Sequence, residues 1–291
     1  MADVLQLLVA GLATGAIYAL AAIGFTLLWQ TSQTINFAQG EFVMLPAFFV
    51  LIAMNLGLPL SAAILAAIAA SVLVLGLLFK RLVVDPMIRH GVLPLVISTI
   101  ALALLLRESV KEFYGAEAQP FPPLAADLNV SIIGASISVQ SLIVIAVAVL
   151  AVTALQLFLE RTRTGRSMQA TAQNPAVARI LGIPVERMIL YTFLINAALT
   201  ALASILVTPI YLAKFTNGEW LGLYAFIAAI VGGFNQVRGA IVGGLLLGIL
   251  DNLAAAYLSA AYRSALPLVI LIAVILFRPQ GLLGRIEERS V

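Results

Sequence analysis

Cysteine is absent from this chain of 291 residues, and charge is scarce. The first absence excludes disulfides, thiolate metal sites and thiol redox chemistry. Histidine occurs once, as His90 beside Arg89 in a basic stretch, where a solvated side chain is expected. Neither an intramembrane metalloprotease nor a His–Asp acyltransferase has enough to work with, and no catalytic residue, metal site or cofactor is expected. No P-loop pattern is present, so any ATP must be handled by another chain. Lys and Arg number 16 and Asp and Glu 13, together 10% of residues, where a soluble domain carries about 25%. So few charges cannot cover a water-facing surface, which excludes a soluble enzyme. A net charge of +3 spread this thinly is no nucleic-acid signature either.

What the chain has is apolar surface: 63% of residues are hydrophobic and the mean hydropathy is +1.11. A helical span needs about 20 apolar residues and a connection about 10 more, so the length holds roughly nine or ten spans. Apolar runs lie at 4–29, 42–54, 60–79, 92–106, 137–159, 188–212, 221–231, 240–258 and 265–277. The expectation is an all-α polytopic membrane protein with about eight to ten transmembrane helices in a single domain, 1–291. The runs at 42–54 and 221–231 are short for a straight span. Each is expected as a broken helix or re-entrant segment, buried in protein or lining a wet cavity. The start, Met1-Ala2-Asp3, lacks the basic residues of a signal peptide, so the first run is expected to be retained.

The charges orient these spans. Lys80, Arg81 and Arg89 follow the third run, Arg161, Arg163, Arg166, Arg179 and Arg187 the fifth, and Arg278, Arg285 and Arg289 fill the tail at 278–291. The connection after the fourth run carries Glu112, Glu117 and Asp127 with Lys111. Because Lys/Arg-rich loops stay cytoplasmic, nine passes with the N-terminus outside and the C-terminus inside place every group, Arg238 included. Pro120, Pro122 and Pro123 predict extended or turn structure in the outer loop.

An internal echo links two of the short runs. Gly40-Glu41-Phe42 with Leu45, Ala47 and Phe48 matches Gly218-Glu219-Trp220 with Leu223, Ala225 and Phe226 in register. The copies stand five spans apart, and an odd offset inverts orientation, so the echo predicts an inverted-topology repeat with a solute path at its interface. Chance similarity in a low-diversity apolar chain explains it equally well.

Three further segments carry information. The connection from Gln30 to Glu41 is dense in amides and hydroxyls yet uncharged but for Glu41, unlike an ordinary cytoplasmic loop. Non-helical backbone at membrane depth must be satisfied by protein or a wet cavity. A broken segment lining a pathway is therefore expected, with Tyr18, Gln33, Asn36, Gln39 and Glu41 near the path; the alternatives are a solvated turn at Gly40 or side chains that merely satisfy backbone. The segment 164–187 is the longest cytoplasmic stretch. Met168, Ala172 and Ala176 share helical spacing, Asn174-Pro175 forms an N-cap and N1 pair, and Gly182 is a helix stop. Two short helices parallel to the membrane suit a docking surface, and their sparse bulky apolar residues favour a protein partner over lipid. Finally Gly11/Gly15, Gly239/Gly243 and Gly244/Gly248 form small-xxx-small spacings that serve helix packing. Asp251-Asn252 and Arg107-Glu108 need partners or water, since a mid-membrane Asp costs about 2.5–3.5 kcal/mol.

These residues resemble one family. Gly15-Ala16-Ile17-Tyr18-Ala19-Leu20 followed by Asn36-Phe37-Ala38-Gln39-Gly40-Glu41-Phe42 is similar to the opening signature of branched-chain amino acid ABC transporter permeases, the shorter of two paired types. Gly165-Arg166 with Asn174-Pro175, Ala178 and Leu181-Gly182-Ile183 resembles their ATPase-coupling segment. Gly232-Gly233, Gly239 and Gly243-Gly244 resemble a late Gly-rich motif, and Phe277-Arg278-Pro279-Gln280-Gly281-Leu282 a C-terminal one. Pro46 stands where Gly is more usual, and Asp251 where Glu is.

The resemblance implies a non-enzymatic permease subunit of an ATP-driven importer in the bacterial inner membrane. Its implied partners are a homologous second permease, two cytoplasmic ABC ATPase subunits and a periplasmic substrate-binding protein. A coupling segment at 160–187 would then meet the ATPases through Gly165, Arg166, Ala170, Ala172, Asn174, Pro175, Ala178 and Gly182. The family also handles urea, short amides and some aromatic acids, so membership leaves the solute open. The alternative is a stand-alone ion-coupled secondary transporter with Asp251 as its ion ligand. A membrane scaffold without transport leaves the uncharged first connection unexplained.

Overall fold

The computed structural model describes residues 2–125, 128–132, 134–258 and 265–284. The apolar runs fold as helices, because a bilayer offers no partner to an open backbone. In chain order these are α1 (Ala2–Ser32), α2 (Gln39–Asn55), α3 (Leu60–Ser71), α4 (Asp85–Ile88), α5 (Val92–Tyr114) and α6 (Val139–Arg161). There follow α7 (Arg163–Gln173), α8 (Pro175–Ile180), α9 (Val185–Tyr211), α10 (Asn217–Gly232), α11 (Val237–Tyr257) and α12 (Ala265–Phe277). Two π-helical stretches, Val72–Leu78 and Lys80–Val84, carry α3 on into α4, so Leu60–Ile88 is one long apolar helix. Among the described residues six helices are long and apolar enough to cross a membrane, while α2, α10 and α12 are shorter. The chain is an all-α polytopic membrane protein. Among the described residues the one sheet is the antiparallel hairpin β1 (Asn129–Ile132) and β2 (Ala135–Ser138), near the prolines that predicted extended chain.

Some boundaries differ from those expected. Lys80 and Arg81 lie inside the Leu60–Ile88 helix instead of in a loop after it, and Lys111 and Glu112 lie inside α5. Charge pairing lets both helices run on: Lys80 Nζ meets Asp85 Oδ1 at 2.8 Å, and Lys111 Nζ meets Glu108 at 3.1 Å, one turn back. Met168 and Ala172 share α7, but Ala176 belongs to α8, because Asn174 breaks the helix between them. Its Oδ1 caps α8, accepting from the N–H groups of Ala176 and Val177 at 3.0 and 3.1 Å. Asp127, Arg285 and Arg289, and with them half of the 278–291 tail, lie outside the described residues.

The chain divides into two compact units. The first comprises Met1–Thr26, Pro123–Val149 and Tyr224–Val291. There Gly11 and Gly15 of α1 lie against the backbone of Gly248–Ile249 and Gly244–Leu245 of α11; a Cβ at Gly11 would stand 2.8 Å from Ile249 Cα. Such contact gains packing where hydrocarbon supplies no hydrophobic drive.

The second unit comprises Leu27–Pro122 and Leu150–Leu223, with α9 against α2, α3 and the first π-helical stretch. Phe79 meets Phe42 edge-on and Phe193 at a tilt, with centroids 4.9 and 5.9 Å apart. Pro46 interrupts the ladder of α2, and the next N–H, of Ala47, donates to Ser204 Oγ of α9 at 3.1 Å. Ser204→Ala removes that hydrogen bond and is expected to cost about 0.5–1.5 kcal/mol, read as a lowered thermal midpoint of the purified protein.

The ends of this unit differ in charge. Lys80 reaches Glu186 in the first turn of α9 at 3.8 Å, so the Lys80–Arg89 group and the Arg161–Arg187 group share one end. At the other, a backbone bridge between Gln119 and Ala213 joins the chain after α5 to the chain after α9.

Candidate functional site

The site lies where the polar connection meets the short helices, within the second unit. Gln33 closes α1: its backbone is left-handed (φ 52°), and both its N–H and its Nε2 donate to Trp29 O at 3.0 Å. The side chain is exposed. Asn36 is buried; its Oδ1 accepts from Ala38 N–H at 3.0 Å, and Phe37 N–H donates to Thr99 Oγ1 at 3.3 Å. Thr99 stands about 10 Å along α5 from its start at Val92, so the connection lies at the depth of that helix. This explains its lack of charge. Gln39 and Asn196 of α9 exchange amide hydrogen bonds at 2.7 and 3.0 Å, both side chains fully buried.

At the next residue the two copies of the echo meet. A Cβ on Gly40 would overlap the Gly218 carbonyl and stand 3.1 Å from Gly222 Cα, so the first turns of α2 and α10 touch backbone to backbone. Helices of 17 and 16 residues span about 25 Å, less than the roughly 30 Å of hydrocarbon. Arg107 of α5 joins the two Gly-Glu pairs. Its Nε and Nη2 donate to Glu41 Oε1 at 3.2 and 2.9 Å, and its Nη1 donates to Glu219 Oε2 at 3.2 Å. Arg107 precedes the Tyr114 end of α5 by about 10 Å, which places this clasp below the Gln119–Ala213 end. Side-chain exposure rises from 3% at Glu41 through 20% at Arg107 to 68% at Glu219. The cluster holds no nucleophile–base pair. What it offers is charged hydrogen-bonding groups at membrane depth.

Sequence reasoning named Asn36, Gln39 and Glu41 of this cluster and missed the roles of Arg107 and Glu219. Both had signals: Arg107 in an apolar run demands a carboxylate partner, and Glu219 occupies the echo position of Glu41. Tyr18 belongs to the first unit, where it stacks on Tyr224 (5.2 Å) and its hydroxyl donates to Asp251 Oδ2 at 3.4 Å. Asp251 is 1% exposed, and neighbouring Asn252 donates to Thr14 Oγ1 and Gly248 O at 3.3 and 2.9 Å.

The coupling residues spread over α7 and α8. Gly165 is buried, where a Cβ would overlap the Phe158 carbonyl, and Ala178 is buried too. Ala170 and Ala172 are half-buried, Arg166, Asn174 and Pro175 are exposed, and Gly182 turns the chain with φ 78°. The Gly-rich and C-terminal motifs pack together: Leu282 and Leu283 N–H donate to Val231 O and Gly232 O at 2.8 and 2.9 Å.

A family model described as "Branched-chain amino acid transport system / permease component" matches residues 7–275. The chain belongs to this family. The permease is 35% identical over 302 residues to the high-affinity branched-chain amino acid transport system permease protein BraD of Pseudomonas aeruginosa, covering 99% of this chain and 98% of that one. It is 34% identical over 300 residues to the corresponding protein LivH of Escherichia coli K12, covering 99% and 97%. To the probable branched-chain amino acid transport permease protein LivH of Methanocaldococcus jannaschii it is 30% identical over 286 residues, 91% and 88% of the two chains. No solved structure matches. With permease relatives along almost the whole chain, the stand-alone ion-coupled reading of Asp251 is not favoured.

Proposed function

We propose that this permease is the membrane subunit of an ATP-driven ABC importer of the bacterial inner membrane. Its solutes are branched-chain amino acids or related small solutes such as urea, short amides and aromatic acids, delivered by a periplasmic binding protein. A homologous second permease completes the path, and two cytoplasmic ATPase subunits drive it.

The observation that carries this reading is the α7–α8 segment. At the basic end of the second unit α8 and the residue after it leave Val177, Ile180 and Leu181 exposed, Ile180 to 84%, beside Arg179, and Arg166 is exposed on α7. An exposed apolar patch with a basic neighbour, on a helix capped at Asn174, suits a protein partner. In this reading Gly165 and Ala178 hold the segment in shape, while Arg166, Ala170, Ala172, Asn174, Pro175 and Gly182 frame its contact surface. The gathering of both basic groups at one end supports a cytoplasmic face there, with the N-terminus periplasmic and the C-terminus cytoplasmic. Asn36, Gln39 and Glu41 form the wall behind the path, Gln33 closes the helix leading to it, and Tyr18 holds Asp251.

Reconstituted uptake with and without ATP tests the importer: uptake that survives ATP depletion in a complex lacking ATPase subunits refutes it. Ile180→Glu is expected to lose ATPase co-purification and at least about tenfold in uptake, as a docking residue does, with an unchanged thermal midpoint. Retained association places docking elsewhere.

A further inference from the structure

We propose that Arg107 and Glu219 form a subsite for the charged end of an α-amino acid. The guanidinium takes the carboxylate, the Glu219 carboxylate takes the ammonium, and Glu41 holds the arginine from behind. The inference rests on the importer reading and adds the groups that recognise the solute.

Four observations carry it. Arg107 uses three of its N–H groups, two on one oxygen of Glu41 and one on Glu219; a guanidinium has five. An edge of the planar fork, the shape that matches a carboxylate, is left for a ligand. Glu219 is 68% exposed although its partner Arg107 lies within the span. A carboxylate at that depth cannot face hydrocarbon and needs water or a polar partner, and a wet passage supplies both. Glu41 Oε2 is buried and carries no hydrogen bond among the described residues, fixed beside Gly218, where a Cβ would overlap its carboxylate. The clasp thus has two carboxylates for one guanidinium, an excess of negative charge that an ammonium group offsets. Finally, the open Arg107–Glu219 pair is worth little as structure, since exposed ion pairs contribute little to stability. A zwitterion satisfies both of its arms at once.

The test uses the complete complex in nanodiscs without its binding protein, with binding of labelled L-leucine measured in competition with two probes. One is 4-methylpentanoate, which lacks the ammonium, and the other 3-methylbutylamine, which lacks the carboxylate. The wild type is expected to prefer leucine about tenfold or more over each, the scale of one charged hydrogen bond. Glu219→Gln, a conservative change at an open position, is expected to weaken leucine binding about tenfold and draw the leucine to 4-methylpentanoate ratio towards one. An unchanged leucine affinity and ratio in Glu219→Gln, or a wild-type complex that binds no leucine, overturns the subsite. ATP-dependent uptake measured on the same preparations separates the two failures. If uptake requires ATP while selectivity ignores Glu219→Gln, the inference falls and the importer stands; if uptake ignores ATP, the importer falls.

Discussion

Gly40→Val is expected to abolish uptake and to yield a permease that no longer purifies as a single species. The new Cβ would overlap the Gly218 carbonyl and stand 2.8 Å from that residue's carbonyl carbon and 3.1 Å from Gly222 Cα. All three are backbone atoms, which cannot rotate aside as the end of a side chain does. Overpacking a close core costs about 1–3 kcal/mol or more, and valine brings two further methyl groups. The second loss is functional. Glu41 follows Gly40 directly, so parting the helices pulls its carboxylate from Arg107, whose Nη2 it holds at 2.9 Å. Size-exclusion profiles, thermal unfolding and reconstituted uptake read the three effects. A monodisperse Gly40→Val protein with wild-type uptake would show that the contact between α2 and α10 is dispensable.

Arg107→Met is expected to destabilise the protein by about 3–5 kcal/mol, the cost of leaving a buried charge without its partner. Glu41 would then be a carboxylate only 3% exposed, with no cation in hydrogen-bond reach. The double change Arg107→Met with Glu41→Gln removes that stranded charge and is expected to recover much of the loss, because residues in contact do not act additively. Thermal unfolding of the three variants checks this. Uptake should not recover with stability: the double variant has lost the guanidinium that the proposed subsite needs. A double variant no more stable than Arg107→Met would mean that the arginine supports the fold through its stem and not its charge.

Much of the fold was legible in the sequence, because a bilayer reduces the choices. Each apolar run had to become a helix, and the polar connection from Gln30 to Glu41 had to hold a break with its own partners. The cap at Asn174 was readable because Asn-Pro combines an N-cap acceptor with a residue that needs no N–H donor. The extent of the charged helices was not readable from hydropathy. Lys80 and Lys111 look like loop residues until Asp85 and Glu108, one turn away, are counted as partners. The clasp was the hardest part. Glu41, Arg107 and Glu219 come from three helices far apart in the chain, and only folding brings them within 3.2 Å of one another in turn. The chemistry of each residue was visible, but which charges meet depends on long-range packing that no local pattern encodes.

The exposures along that clasp also set an order of encounter. From the open side inward the clasp presents a negative group at 68% exposure and then a positive one at 20%, with the second carboxylate closed off behind them at 3%. A lone anion is repelled at the first of these before it reaches the second. A lone amine is drawn to the first and finds nothing to carry it further. A molecule bearing both signs a few atoms apart advances by exchanging one contact for the next. With the proposed subsite, discrimination is partly kinetic, exercised by the sequence of signs along the way in and not only by the strength of the final grip.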